Sequence, residues 1–184
     1  MGRSSGGANL AADGAAWRVV NDAVMGGVSN SQVEAGGGCV RFRGEVRTDF
    51  NGGFASARRA VEVDAEEAAF VTAIDLHARG DGHRYRLTVF TRDARGLPQS
   101  FLYYAEFETD PARETAHRLP LAAFRASFRG RAVADAPALA WRDVIGVGLM
   151  LLKTGHRAGR GPFAVEVLKI APVAGDDRAA TAAR

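Results

Sequence analysis

The stretch that decides the fold is Asn51-Gly52-Gly53-Phe54-Ala55-Ser56-Ala57-Arg58. It begins with a turn signature, Asn-Gly-Gly, and continues as a strand-like alternation. Phe54, Ser56 and Arg58 share one face of that strand, whereas the opposite face carries only alanine. A serine and an arginine in phase with the largest apolar side chain leave two alternatives open. Either the strand leaves the core after Phe54, or Ser56 and Arg58 point into a partly buried polar pocket.

The remainder of the chain is also dominated by short alternating segments. Strands are predicted at 39–46, 70–79, 84–89, 101–107, 145–152 and 163–170, and residues 64–69 are expected to be a short acidic connector. The strand at 101–107 is apolar on nearly both faces, and the glycines at 146 and 148 in the buried strand 145–152 are expected to need close neighbours. Because the opening stretch follows the first of these strands, we expect residues 39–59 to form a hairpin or adjacent pair that turns at 50–53. The four-residue spacing of Phe124 and Phe128 fits a helical turn or a compact loop. About eight to ten short strands between turn signals predict an all-β sandwich.

Length and composition indicate one soluble globular domain. The chain has 184 residues, of which 47% are hydrophobic and 24% charged. Residues 1–13 and 174–184 are rich in small residues and are predicted to be disordered tails. The single β-sandwich domain is therefore expected to span residues 14–173.

Several function classes are disfavoured by the same composition. No apolar run approaches the roughly 20 residues of a membrane span, and the N-terminus lacks the apolar core of a secretory signal, which favours a cytoplasmic protein. The net charge of +3 comes from scattered arginines, so we expect no nucleic-acid partner. Cys39 is the only cysteine and the four histidines show no ligand spacing, so neither a metal site nor a cofactor is predicted.

A series of short motifs follows in a fixed order along the chain. The motifs are Trp17, NDAVMGGVS at 21–29, FRG at 42–44, NGGFASAR at 51–58, RGDGHRY at 79–85, FRGR at 128–131, IGVGLM at 145–150 and GPF at 161–163. In this order they resemble the complex I intermediate-associated protein 30 domain family, over about residues 15–172.

That resemblance implies both a fold and a function. The implied fold is a galactose-binding-like jelly-roll β-sandwich, in agreement with the independent strand prediction. Mitochondrial members of the family assist assembly of the respiratory NADH:ubiquinone oxidoreductase. The chain is accordingly expected to be a non-enzymatic binding domain, resembling an assembly factor or chaperone, that contacts protein partners such as respiratory-complex subunits. The alternative is a module that binds a small ligand or a carbohydrate on the concave face of the sandwich.

The candidate binding residues are polar side chains within these motifs, and no catalytic residue is predicted. They are Asp22, Ser56, Arg58, Arg79, Asp81 and Tyr85. If they line one surface, Arg58 or Arg79 could hold a carboxylate, a phosphate or a sugar hydroxyl with its planar guanidinium. A purely structural interpretation stays open beside this one. In it, Arg58 forms an internal ion pair with Asp22, and Asp81 forms a turn.

Overall fold

The computed structural model describes residues 8–12, 16–20, 29–47, 53–152 and 161–175. Within these residues the strands form two antiparallel sheets that pack face to face. The seven-stranded sheet, called the front sheet here, contains β1 (Arg18–Val19), β4 (Phe54–Ala60), β11 (Val144–Leu152), β6 (Arg84–Thr91), β7 (Leu102–Glu108), β9 (Arg125–Phe128) and β10 (Arg131–Ala132), in that spatial order. The five-stranded back sheet contains β2 (Asn30–Gly36), β3 (Cys39–Val46), β12 (Gly161–Ala174), β5 (Val71–Gly80) and β8 (Thr115–Pro120).

The core lies between the sheets and is built from the inward side chains of alternating strands. Val40, Phe42 and Val46 on β3 are fully buried, as their alternation predicts. Aromatic rings join the two layers. Phe42 and Phe163 of the back sheet lie 4.9 Å apart between ring centroids, and Tyr85 of the front sheet lies 6.4 Å from Phe163. The all-β sandwich prediction is therefore confirmed.

The predicted pairing around the opening stretch is wrong. Strand β3 pairs with β2 and β12 in the back sheet, whereas β4 pairs with β1 and β11 in the front sheet. The chain therefore crosses from one layer to the other between residues 46 and 54, and residues 48–52 of this connection lie outside the described residues. Turn residues between two strands do not determine whether those strands pair, because a sandwich also needs connections between its sheets.

The inward face of β4 is the alanine face. Ala55 and Ala57 are fully buried in the core, so Phe54, Ser56 and Arg58 point to the outer side of the front sheet. The strand therefore does not leave the core after Phe54. Small inward side chains on β4 leave room for larger ones from neighbouring strands, such as Leu149 and Leu151 of β11.

Other connections also differ from the expectations. Residues 64–69, expected to be an acidic connector, contain the short helix α1 (Ala65–Ala68), whose N-cap Asp64 accepts hydrogen bonds from the backbone amides of Glu66 and Glu67. Phe124 follows a 3-10 turn at Leu121–Ala123 and is buried, whereas Phe128 ends β9 and is 43% exposed. The two rings therefore do not form the expected packed pair.

The N-terminal segment is part of the domain. Leu10 is buried in the core, the side chain of Asn9 bonds to β12 at Leu168 and Ile170, and the guanidinium of Arg59 donates to the backbone oxygen of Leu10. The predicted tail over 1–13 is therefore wrong for residues 8–12. Within the described ranges no helix is both long enough and apolar enough to cross a membrane.

Candidate functional site

The outer face of the front sheet carries a groove of about 460 Å³ that crosses strands β4, β11, β6, β7 and β9. We call it the outer-face groove. Its apolar lining consists of Phe54, Phe90, Phe101, Leu102, Phe128, Met150 and Leu152. Its remaining lining residues are Arg58, Arg86, Gln99, Ser100, Ser127, Arg129 and Gly130. The groove is therefore lined by aromatic and aliphatic side chains together with three arginines, and by no acidic residue from the part of the chain that the structure describes.

Two glycines on β11 lie next to groove-lining residues, Gly148 beside Arg58 and Gly146 beside Phe90, and we call these two glycines the groove floor. A Cβ at Gly148 would lie 2.7 Å from the backbone oxygen of Ala57 and 2.6 Å from Oγ1 of Thr88. A Cβ at Gly146 would lie 2.9 Å from the backbone oxygen of Arg59. Both distances are shorter than side chains tolerate, so the close neighbours that the sequence predicted for these glycines are present. The missing side chain at Gly148 leaves the space that the Arg58 stem occupies.

Arg58 lies across this glycine floor. Its guanidinium carbon is 4.6 Å from the centre of the Phe90 ring, a cation–π contact. Its Nε atom is buried and has no hydrogen-bond partner among the described residues. Burial lowers the pKa of the Arg58 guanidinium, and the positive charge of Arg18 lowers it further.

Arg86 shows the contrasting arrangement within the same groove. Its Nε and Nη2 atoms donate to Oε1 of Glu106 at 3.1 and 2.9 Å, and its guanidinium stacks 4.0 Å from the centre of the Tyr104 ring. Glu106 therefore compensates the charge of Arg86 within the protein, and the Arg86 guanidinium covers one face of the Tyr104 ring. Arg86 supports the groove, while Arg58 retains unused donor capacity.

The hairpin of β9 and β10 forms one rim of the groove. Arg129 and Gly130 have φ angles of 49° and 80°, the left-handed pair typical of a two-residue type I′ turn. This turn places Phe128 at the rim, with the Arg129 guanidinium 5.3 Å from its ring centre. The FRGR motif at 128–131 is therefore a turn that presents an aromatic ring to the groove.

The structure separates the six residues predicted from the sequence. Of these, Arg58 lines the groove, and Ser56 lies on the same outer face but is only 1% exposed. The Ser56 hydroxyl donates to the backbone oxygen of Val20, so it holds the segment after β1 against β4. Asp22 lies outside the described residues, and with it the proposed Arg58–Asp22 ion pair.

The other three predicted residues lie away from the groove. Arg79 is on β5 of the back sheet, where its Nη2 atom is 3.5 Å from Oε2 of Glu114. Tyr85 is fully buried between the sheets, and its hydroxyl donates to Asp81. Arg58, Arg79 and Tyr85 therefore do not line one surface, because they occupy different faces of the sandwich.

Asp81 stabilises a junction between strands. Its carboxylate accepts hydrogen bonds from the Tyr85 hydroxyl at 2.9 Å, the His83 amide at 3.1 Å and the Ala164 amide at 2.7 Å. Burial raises the pKa of Asp81, but these hydrogen bonds outweigh it and hold the pKa below its usual range. The turn interpretation of Asp81 agrees with this geometry.

The described residues offer little for catalysis or metal binding. No three His, Cys, Asp or Glu side chains in the described ranges are close enough together to hold a metal ion. His77 contacts Glu114, and His117 contacts the backbone oxygen of Glu108, both at 2.9 Å. These histidines are engaged on the back sheet and its edge, away from the groove.

Sequence reasoning did not identify most of the groove. Phe90, Phe101, Phe128 and Met150 come from four separate strands and loops, so no linear motif joins them. One usable signal was the strand at 101–107, which is apolar on nearly both faces and whose outward Leu102 lines the groove. The glycines of β11 were another, since they implied close contacts on that side of the sheet.

Comparisons with known proteins agree with this architecture. A family model described as Complex I intermediate-associated protein 30 matches residues 8–167. No curated protein matches the chain in sequence. Similar solved structures include the family 11 carbohydrate-binding module of the cellulosomal cellulase Lic26A-Cel5E of Clostridium thermocellum, with a TM-score of 0.66, 12% identity, and coverage of 94% of this chain and 97% of that one.

Two further structures show the same fold. The Clostridium thermocellum family 11 module in complex with a β-1,3-1,4-mixed-linked tetrasaccharide has a TM-score of 0.66 and 11% identity, covering 94% of this chain and 98% of that chain. A family 30 carbohydrate-binding module has a TM-score of 0.51 and 13% identity, covering 81% of this chain and 92% of that chain. At such low identity the likeness concerns the jelly-roll sandwich alone.

Proposed function

Because the chain belongs to the complex I intermediate-associated protein 30 family, we propose that it is a non-enzymatic binding domain that holds a segment of a protein partner in the outer-face groove. The observation that carries this proposal is the lining of the groove. Seven of the lining side chains are apolar, and Phe128 at the rim is 43% exposed. An apolar groove of this kind suits the side chains of an extended protein segment. Subunits of the respiratory complex that await assembly are the partners that the family description suggests.

The experiment compares two phenylalanine variants in a pull-down from the native host, read by mass spectrometry. Phe128→Ser removes an exposed aromatic ring from the groove rim. Phe70→Ser removes a ring of similar exposure, 36%, from the turn between α1 and β5, outside the groove. The wild type and Phe70→Ser should recover the same proteins, and Phe128→Ser should lose them. Equal recovery by both variants would contradict the groove as the binding site. Recovery without respiratory subunits would contradict the proposed partners.

The second candidate function is carbohydrate binding, favoured by the exposed aromatic ring at the rim. Sugar rings stack on aromatic faces, and the structural neighbours are carbohydrate-binding modules. Two aromatic rings of the front sheet are, however, already covered: Phe90 in the groove lining by Arg58, and Tyr104 by Arg86. This favours the protein segment. Calorimetric titration with mixed-linked β-glucan oligosaccharides tests the alternative, and saturable binding that Phe128→Ser abolishes would establish it.

Three expectations stay predictions beside the proposal. They are the lack of enzymatic activity, the lack of a cofactor and the cytoplasmic location. None of them is needed for the groove to bind a partner.

A further inference from the structure

Arg58 is a half-buried cation without a counter-ion among the residues that the structure describes. It forms no ion pair and no hydrogen bond through its side chain with any described residue, and its buried Nε atom has no acceptor. Other arginines of the domain contrast with it. Arg86 pairs with Glu106, and Arg118 donates to Asp75 at 2.9 Å. Burying a charge without a partner is unfavourable, so an unpaired guanidinium at a groove indicates a ligand that supplies the missing charge.

A second cation lies directly beside the first. Strand pairing places Arg18 of β1 opposite Arg58 of β4. Like charges in such a cross-strand position repel each other. On β11 and β6, the residues nearest Arg58 are Gly148, Thr88 and Phe90, which are uncharged. No described residue therefore compensates the two positive charges at this end of the groove.

The fold holds Arg58 in position for an incoming anion. A Cβ at Gly148 would lie 3.2 Å from Cγ of Arg58, so the glycine lets the arginine stem lie flat on the sheet. Phe90 supports the guanidinium from one side. Beneath the arginine, the buried Thr88 hydroxyl also lacks a partner among the described residues. A guanidinium fixed in this way loses less side-chain entropy when it binds.

We propose that Arg58, with Arg18 beside it, binds the carboxylate of an acidic side chain in the protein segment that occupies the groove. The proposal rests on the function proposed above and specifies the chemistry of the partner. The planar guanidinium matches a carboxylate through paired hydrogen bonds. The apolar lining on either side, with Met150 and Leu152 on β11, suits apolar residues that flank the acid. The preferred segment therefore has one Asp or Glu between apolar side chains.

The test uses two fluorescein-labelled peptides that differ by one residue. Each has the core Leu-Val-Xaa-Phe-Leu between Ser-Gly ends, with glutamate or glutamine at Xaa. Fluorescence anisotropy should show that the wild type binds the glutamate peptide about tenfold or more tighter than the glutamine peptide, as a charge-assisted bidentate pair predicts. Arg58→Met should abolish this difference. Arg18→Met should reduce the difference, and Arg43→Met on the back sheet should preserve it.

The outcomes separate the two proposals. Equal affinity of the wild type for both peptides would overturn the carboxylate inference alone and leave the groove function standing. A phosphoserine peptide that binds tighter than the glutamate peptide would overturn the choice of carboxylate. Oligogalacturonate binding that Arg58→Met abolishes would overturn the choice of a protein partner. Failure of both peptides, together with no shift of the Arg58 Nε resonance on titration with N-acetylglutamate, would overturn both proposals.

Discussion

At the scale of single residues, Arg58 and Arg59 are neighbours in sequence with opposite surroundings. Arg58 lies over the groove floor without a hydrogen bond among the described residues. Arg59 points inward, is 7% exposed, and donates to the backbone oxygens of Leu10 at 2.8 Å and Ala60 at 3.0 Å. The alternation of a strand is enough to produce this difference. The pair therefore distinguishes an arginine that holds the fold from one that is available to a ligand.

The first prediction concerns the stability of these two arginines. Arg58→Met keeps an apolar stem over Gly148 and removes no internal ion pair of the described residues, so the free energy of unfolding should change by less than about 0.5 kcal/mol. Arg59→Met should lower it by about 1–3 kcal/mol because two backbone acceptors lose a charged donor. Urea denaturation followed by circular dichroism measures both. A large loss in Arg58→Met would instead support an internal partner such as Asp22.

The second prediction concerns Gly148. Gly148→Ala places a Cβ 2.7 Å from the Ala57 backbone oxygen, which cannot give way, so we expect a loss of about 1–3 kcal/mol. Gly36→Ala on β2 is the matched control because its Cβ would have no atom within 4 Å. Thermal unfolding should show a lower midpoint for the first variant only. An unchanged midpoint for both would mean that the groove floor is not closely packed.

At the scale of elements, the molecule depends on side chains that join strands distant in sequence. Asp81, in the turn after β5, accepts the amide of Ala164 on β12 and the hydroxyl of Tyr85 on β6. One carboxylate thus links three strands drawn from both sheets. The aspartate of the RGDGHRY motif therefore has a structural role that needs no ligand, because it joins strands of the two sheets by hydrogen bonds.

The third prediction concerns the pH dependence of this junction. The pKa of Asp81 lies below its ordinary value of 3.8 in the folded protein, so the ionised form stabilises the fold above that pH. The stabilisation should decline as the pH falls below about 3.8 towards the folded pKa. Asp81→Asn should therefore be less stable than the wild type at pH 7, and the difference should shrink in acid.

Chemical denaturation at pH 7, 5 and 3 measures this effect for both proteins. Asp93→Asn is a useful control because Asp93 also has a lowered pKa but lies in an exposed turn, where it accepts hydrogen bonds from the amides of Arg95 and Leu97 and links no separate strands. Its effect should be smaller at every pH. A constant difference between Asp81→Asn and the wild type across this range would contradict the assigned role.

At the scale of the whole molecule, the sandwich is completed by a segment from the start of the chain. Asn9 and Leu10 cover the end of the core beside β12, and their backbone and side-chain groups bond to Leu168 and Ile170. The family match begins at residue 8, in agreement with this packing. The folded domain therefore begins before the stretch in which apolar and polar residues alternate.

The fourth prediction follows from this segment. Deletion of residues 1–12 exposes the Leu10 site and removes one of the backbone acceptors of Arg59, so the free energy of unfolding should fall by about 2–4 kcal/mol. Deletion of residues 1–7 keeps Asn9 and Leu10 and should have little effect. Differential scanning calorimetry compares the two. Equal melting temperatures for the two deletions would show that the segment does not support the core.

The sequence by itself determined the class of fold and most of the inward faces. Val40, Phe42 and Val46 could be assigned because a strand has a period of two, and only one register buries the apolar set. The family was likewise evident, because its motifs are short and local. The glycines of β11 indicated close packing before any contact was known, since a missing side chain in a buried strand needs a reason.

Only the tertiary structure decided which strands became neighbours, and with that, where the groove lies. The connection at 47–53 carries turn residues that suit a hairpin, yet β3 and β4 enter different sheets. Phe54 was the largest apolar residue of its stretch, but the small Ala55 and Ala57 face the core because β11 fills that space. The lining of the groove comes from five strands, and their order in the sheet is a long-range property. The alternation in a sequence shows which side chains lie on the same face of a strand. Only the packing of the strands decides whether that face contacts the core or lines the groove.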